Sequence, residues 1–103
     1  MLGQVGKDDL TADKYLTWMR EQGVNTELII KTDVPTGQAY IYHYPNGDNS
    51  IILVGGANKA YKQIPNSWIQ AVSEADVLLC QREIPEWVNI HCGKHAKMLI
   101  LDC

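Results

Sequence analysis

Val77-Leu78-Leu79-Cys80-Gln81-Arg82-Glu83-Ile84-Pro85 decides the fold of this chain. Four apolar residues in a row are too short for a helix and do not alternate, so they read as a strand covered on both faces, as in parallel sheets. Gln81 and Arg82 end that strand, and Pro85 suits the first position of a helix, where its missing N–H costs nothing. A helix from there to about His95 feeds Met98-Leu99-Ile100-Leu101, a second buried strand. The unit is β-α-β, so the fold class is α/β with a parallel sheet. Glu83 falls three residues past Cys80, just beyond the carboxyl end of the first strand. Ligands of open α/β sheets collect at that rim. A carboxylate there can accept paired hydrogen bonds from ligand hydroxyls, or equally cap the helix that follows.

Working towards the amino terminus, Trp68, Ile69 and Val72 repeat at helical spacing over Ser67 to Glu74. Gly55-Gly56-Ala57-Asn58 comes before them. Consecutive glycines allow positive φ or close backbone approach, and Asn58 can pin the turn. No Gly-Lys-Ser/Thr follows, so this is not a Walker phosphate loop. The clearest hairpin lies upstream: Gln38 to Tyr44 and Asn49 to Val54 are rich in β-formers, and Pro45-Asn46-Gly47-Asp48 joins them. In the first of these strands Ala39, Ile41 and His43 point one way, and Gln38, Tyr40, Tyr42 and Tyr44 the other. Such a ribbon can lie over a ligand on one side and meet a partner on the other, or it can be an ordinary sheet on a core. Ahead of it a strand is expected over Glu27 to Lys31, and a helix over Thr11 to Gln22. Asp9 or Thr11 can cap that helix, Ala12, Tyr15, Leu16 and Met19 form its apolar stripe, and Gly23 stops it. Val5-Gly6-Lys7-Asp8-Asp9 reads as a turn after a strand.

The 103 residues make one domain at most. A net charge of −3 gives no footprint for nucleic acid or an anionic membrane. No apolar run approaches a membrane span, and the first residues lack the pattern of a signal peptide. Three cysteines at irregular spacing do not make a disulfide framework, so a reducing, cytoplasmic setting is expected. His91 and His95 stand four apart with Cys92 between them, yet the glutamate of a His-Glu-x-x-His site is missing, so no metal is expected and the group reads as a partly exposed helix end. No serine sits in a nucleophile elbow.

The motifs, in their order, resemble the middle third of the ribokinase-like (PfkB) carbohydrate kinases. Gln81-Arg82-Glu83-Ile84-Pro85 is similar to that family's Gln-Leu-Glu-x-Pro signature, with Arg82 in place of an apolar residue. Gly55-Gly56-Ala57-Asn58 resembles the Gly-Ala-Asn that follows the family's lid hairpin, and Thr36-Gly37-Gln38-Ala39 resembles the opening of that lid. Gly3-Gln4-Val5-Gly6-Lys7-Asp8-Asp9 and Gly23-Val24-Asn25-Thr26 match a Gly-x-x-Gly-x-Asp turn and the entry to the lid. The resemblance implies a single partial Rossmann-like domain over 1–103, with a β-hairpin lid at about 27–54 and a β-α-β segment at about 67–102. It implies that Glu83 binds sugar, that Ala39, Ile41 and Leu53 pack on the sugar ring, and that Tyr40, Tyr42 and Tyr44 suit a homodimer through the lid. It also implies an ATP- and Mg2+-dependent kinase acting on a primary hydroxyl of a pentose-like sugar.

The family's Gly-Gly-Lys-Gly-Ala-Asn, Asn-x-x-Glu and Gly-Ala-Gly-Asp motifs do not occur in these residues. The last of these carries the family's catalytic base and anion hole. Phosphoryl transfer depends on positioning and charge stabilisation. This stretch alone is therefore expected to be inactive, either as part of an active sugar kinase or as a degenerate paralogue serving as a binding or dimerisation module.

Overall fold

Parallel pairing organises both ends of the chain, and an antiparallel ribbon stands between them. The computed structural model describes residues 1–102; Cys103, the third of the cysteines, lies outside them. β1 (Gly3–Gly6) leads through α1 (Leu10–Glu21) to β2 (Ile29–Thr32), which runs parallel to β1 from Gly3↔Ile29 to Gly6↔Thr32. β3 (Gln38–His43) and β4 (Asn49–Val54) form the hairpin. A 3-10 turn (Gly56–Lys59) and α2 (Asn66–Glu74) follow, and then β5 (Leu78–Cys80), α3 (Glu86–Gly93) and β6 (Leu99–Leu101), with β5 and β6 parallel. Among the described residues these strands make three separate two-stranded sheets. The strand that the sequence put at the front of the lid pairs with β1, so the ribbon's own strands begin at Gln38.

The core sits where the helices meet the parallel pairs. Trp68, Val72, Val88, Cys92 and Tyr61 form one buried cluster, and Leu28, Ile30, Leu78 and Ile84 pack against it. Trp68 is 2% exposed, and its indole Nε1 donates to the Leu28 carbonyl at 2.8 Å. Its ring meets Tyr61 edge-on, with centroids 5.9 Å apart. This arrangement buries a large aromatic surface and still gives its N–H a partner.

Three sequence expectations need correction. Leu78 and Cys80 face the cluster, but Leu79 on the other side of the strand is 71% exposed and all of β6 is exposed. Cover comes from one side only, because no described element lies over Leu79 and Ile100. On α1, Ala12 and Leu16 carry the buried stripe, whereas Tyr15 lies to one side of it and faces solvent. Cys92 is not at an exposed helix end: it is 4% exposed and belongs to the core. Asp9 is the cap of α1, its Oδ1 accepting from the N–H of Thr11 (2.9 Å) and of Ala12 (3.1 Å). Gly23, with φ +83°, ends that helix in the left-handed region.

Candidate functional site

The hairpin is a flap rather than a layer of the core, since every residue of β3 and β4 is exposed. Its register places Ala39 opposite Leu53 and Ile41 opposite Ile51, so one face is aliphatic. The reverse face pairs Tyr40 with Ile52 and Tyr42 with Ser50, and the Tyr44 hydroxyl lies 3.0 Å from Ser50 Oγ. The tip closes through the Gly47 N–H to the Tyr44 carbonyl at 3.0 Å, with Gly47 at φ +90°. Asn46 Oδ1 accepts from the Asp48 N–H at 3.1 Å, the local side-chain turn that Asn favours.

Three of the motifs converge at the foot of this flap. The Ala57 N–H donates to the Pro35 carbonyl at 2.8 Å, which ties the exit of β4 to the entry of β3. A side chain on Gly37 would come within 2.6 Å of the Gly55 carbonyl and 2.7 Å of Asn58 Nδ2. Gly56 has φ +49°, and a Cβ there would overlap the Pro35 carbonyl. These glycines let the two legs of the flap cross backbone to backbone. The turn after β1 completes the junction. The Gly6 N–H donates to Thr36 Oγ1 at 2.9 Å, and buried Gln4 donates from Nε2 to the Ala57 carbonyl at 2.9 Å. The Thr36 hydroxyl, helped by the Ala12 N–H, holds the Asp9 carboxyl below its usual range. Gln4 is the contributor that sequence reasoning missed: nothing in its neighbourhood marks it apart from two flanking glycines.

Glu83 is exposed in the turn between β5 and α3, as its place in the sequence requires. The turn is held from both sides. Asn89 Nδ2 donates to the Gln81 carbonyl at 2.8 Å, Ile84 packs on the core, and Pro85 occupies the cap position before α3. The Glu83 carboxylate itself makes no hydrogen bond or ion pair with the described residues, so all its acceptor sites are open. No hydrogen bond joins it to the flap or its foot. Burial pushes the Cys80 thiol up, and burial together with nearby Cys80 does the same to Cys92, so neither is poised as a nucleophile. Among the described residues no group of three or more His, Cys, Asp or Glu side chains could hold a metal ion. No helix among them is long and apolar enough to cross a membrane.

The chain is thus an α/β protein with an open carboxylate past a parallel strand and a two-faced flap on a glycine foot. The family described as pfkB family carbohydrate kinase matches residues 1–88, and the chain belongs to that family. The ribokinase of Bacillus subtilis is 33% identical, over 99% of this chain and 36% of its own length. The ribokinase of Arabidopsis thaliana is 45% identical over 61% of this chain and 17% of its own length. A solved structure of the Arabidopsis enzyme complexed with ribose and ATP superposes with a TM-score of 0.84 at 31% identity, covering 99% of this chain and 35% of that one. The Thermotoga maritima ribokinase structure gives 0.82 at 32% identity, covering 98% of this chain and 33% of that one. The chain thus spans about a third or less of the length of these relatives, and its fold is ribokinase-like.

Proposed function

We propose that this chain supplies the flap and part of the sugar site of an ATP-dependent kinase that phosphorylates a primary hydroxyl of a pentose-like sugar. The observation that carries this reading is the unbonded Glu83 carboxylate at the end of a parallel strand, in a chain of the carbohydrate kinase family. Glu83 accepts hydrogen bonds from two sugar hydroxyls and so fixes the ring's orientation. Ala39, Ile41 and Leu53 on the aliphatic face of the flap close over the ring, and Gly55, Gly56, Ala57 and Asn58 set the angle of that closure. Shutting out water protects the phosphoryl group from hydrolysis while the sugar hydroxyl attacks. The tyrosine face of the flap then meets a second subunit, tyrosine being favoured at such interfaces.

ATP and Mg2+ are the cofactors of that reaction. The residues described here do not fit either: there is no carboxylate cluster for a metal and no glycine-lysine phosphate loop. No step of the phosphoryl transfer is therefore assigned to this segment, and residues 1–103 alone give no turnover of ribose with ATP. The test uses a ribokinase-length protein carrying this segment. Glu83→Ala there raises the KM for ribose by about tenfold to a hundredfold, the worth of hydrogen bonds to a charged group. An unchanged KM rejects the role.

A further inference from the structure

Both legs of the flap are fastened to one strand, β1, whose buried positions are Gln4 and Gly6. The Gly6 N–H holds the entry leg through Thr36 Oγ1 at 2.9 Å. The backbones are so close there that a Cβ on Gly6 would come within 3.0 Å of the Thr36 nitrogen and 3.2 Å of the Val34 carbonyl. Gln4 holds the exit leg, its Nε2 donating at 2.9 Å to the carbonyl of Ala57, a residue with no exposed surface. The legs are joined to each other by the Ala57 N–H and the Pro35 carbonyl, 2.8 Å apart. These hydrogen bonds close a triangle of strand, entry leg and exit leg. A buried amide is tolerable only when bonded, and the bond that Gln4 makes goes to the flap. Thr36 is anchored further, its hydroxyl meeting the Asp9 carboxylate that caps α1.

Above this triangle every residue of β3 and β4 is exposed, so the angle of the whole ribbon is set at its foot. Ile41 stands about 13 Å along the strand from Gly37, and a tilt of about 10° at the foot therefore moves it by about 2 Å. A misplacement of about 1 Å can cost a reaction about a hundredfold. We propose, on the reading that the flap closes over the sugar, that Gln4 and Thr36 are positioning residues for sugar binding. Bonded to β1 on one leg each, they fix the angle at which Ala39, Ile41 and Leu53 meet the ring. Both act through the flap and not through contact with the sugar. Freeing either leg lets the ribbon tilt, which loosens the grip on the sugar and admits water to the phosphoryl group.

The test uses a ribokinase-length protein carrying this segment, with Gln4→Met and Thr36→Val, which nearly keep side-chain volume and remove the bond to one leg each. Each raises the KM for ribose by about tenfold and leaves the KM for ATP within about twofold. Each also raises the ATP hydrolysed per sugar phosphorylated by about threefold or more. Thr36→Ser keeps the hydroxyl and returns both readings to within about twofold of the parent. Partial loss of fold lowers the active fraction and moves neither reading, and where Thr36→Val does not fold, Gln4→Met decides. The proposal is overturned by an unmoved KM and hydrolysis ratio in Gln4→Met, or by a Thr36→Ser no better than Thr36→Val. Glu83→Ala, run alongside, separates this proposal from the sugar-site reading. A KM raised in Glu83→Ala and unmoved at the foot rejects the positioning role alone. A KM raised at the foot and unmoved in Glu83→Ala rejects the role of Glu83 and keeps the positioning, and a KM unmoved in all of them rejects both.

Discussion

The helical knot around Trp68 and the flap of β3 and β4 are held together by opposite means. In the knot, Trp68, Val72 and Val88 are each 2% exposed, and the indole N–H is bonded to a backbone carbonyl forty residues away. In the flap every strand residue is exposed, so its shape rests on its own ladder, its turn and the glycine crossing at its foot. Side chains in the knot are chosen for packing with each other. Those on the flap are free to be chosen for what they meet outside it.

The sharpest way to break that contrast is Trp68→Ala. Removing a buried aromatic and orphaning the Leu28 carbonyl costs about 3–5 kcal/mol, measured by urea unfolding. Gly56→Ala attacks the flap at its foot. A Cβ in the left-handed region that also overlaps Pro35 costs about 1–3 kcal/mol, and increased amide exchange confined to the flap foot locates the damage.

Two pH effects fall on the two regions separately. Burial pushes the Tyr61 phenol in the knot up from 10.0 to about 12. The fold favours the neutral ring, so this contribution is complete below pH 10.0 and is lost as pH rises towards 12. Denaturation midpoints falling over that window, and a shallower fall in Tyr61→Phe, are the expected results. At the foot, Asp9 is held below its ordinary value by Thr36 and the Ala12 N–H. Its contribution is present above the usual carboxylate range and disappears as pH drops through the lowered value. Asp9→Ala therefore flattens the acid limb of a melting-temperature profile and leaves the alkaline limb alone. The smallest effect expected is Leu53→Ser on the flap face, which leaves stability within about 0.5 kcal/mol. A larger loss would show that the flap is part of the core after all.

Much of this was legible in the sequence. The hairpin was clear because period-two β-formers flank a Pro-Asn-Gly-Asp turn, and both signals are local. Glu83 could be placed because a short apolar run ending before a proline defines a strand end without tertiary information. Cover was not legible. An unbroken apolar run says that Val77 to Cys80 is compatible with burial on both sides, yet only the neighbours decide whether Leu79 receives it. The helical stripe of α1 was right in period and too wide by one residue, because Tyr15 sits at its margin and could turn either way. The crossing of Gly37 with Gly55 and Gly56, and the Gln4 amide that braces it, joins segments far apart in the chain through backbone shape, to which side-chain periodicity is blind.

The bond from Trp68 to the Leu28 carbonyl has a consequence for how this chain can vary in length. It joins two positions forty residues apart in the chain, with the whole hairpin between them, so the hairpin's departure and return are tied to one point of the core. Extra residues at the Asn46–Asp48 tip lengthen a loop that is already closed, and doubling such a loop costs only about 0.6 kcal/mol. Insertions there therefore leave the packing beneath undisturbed.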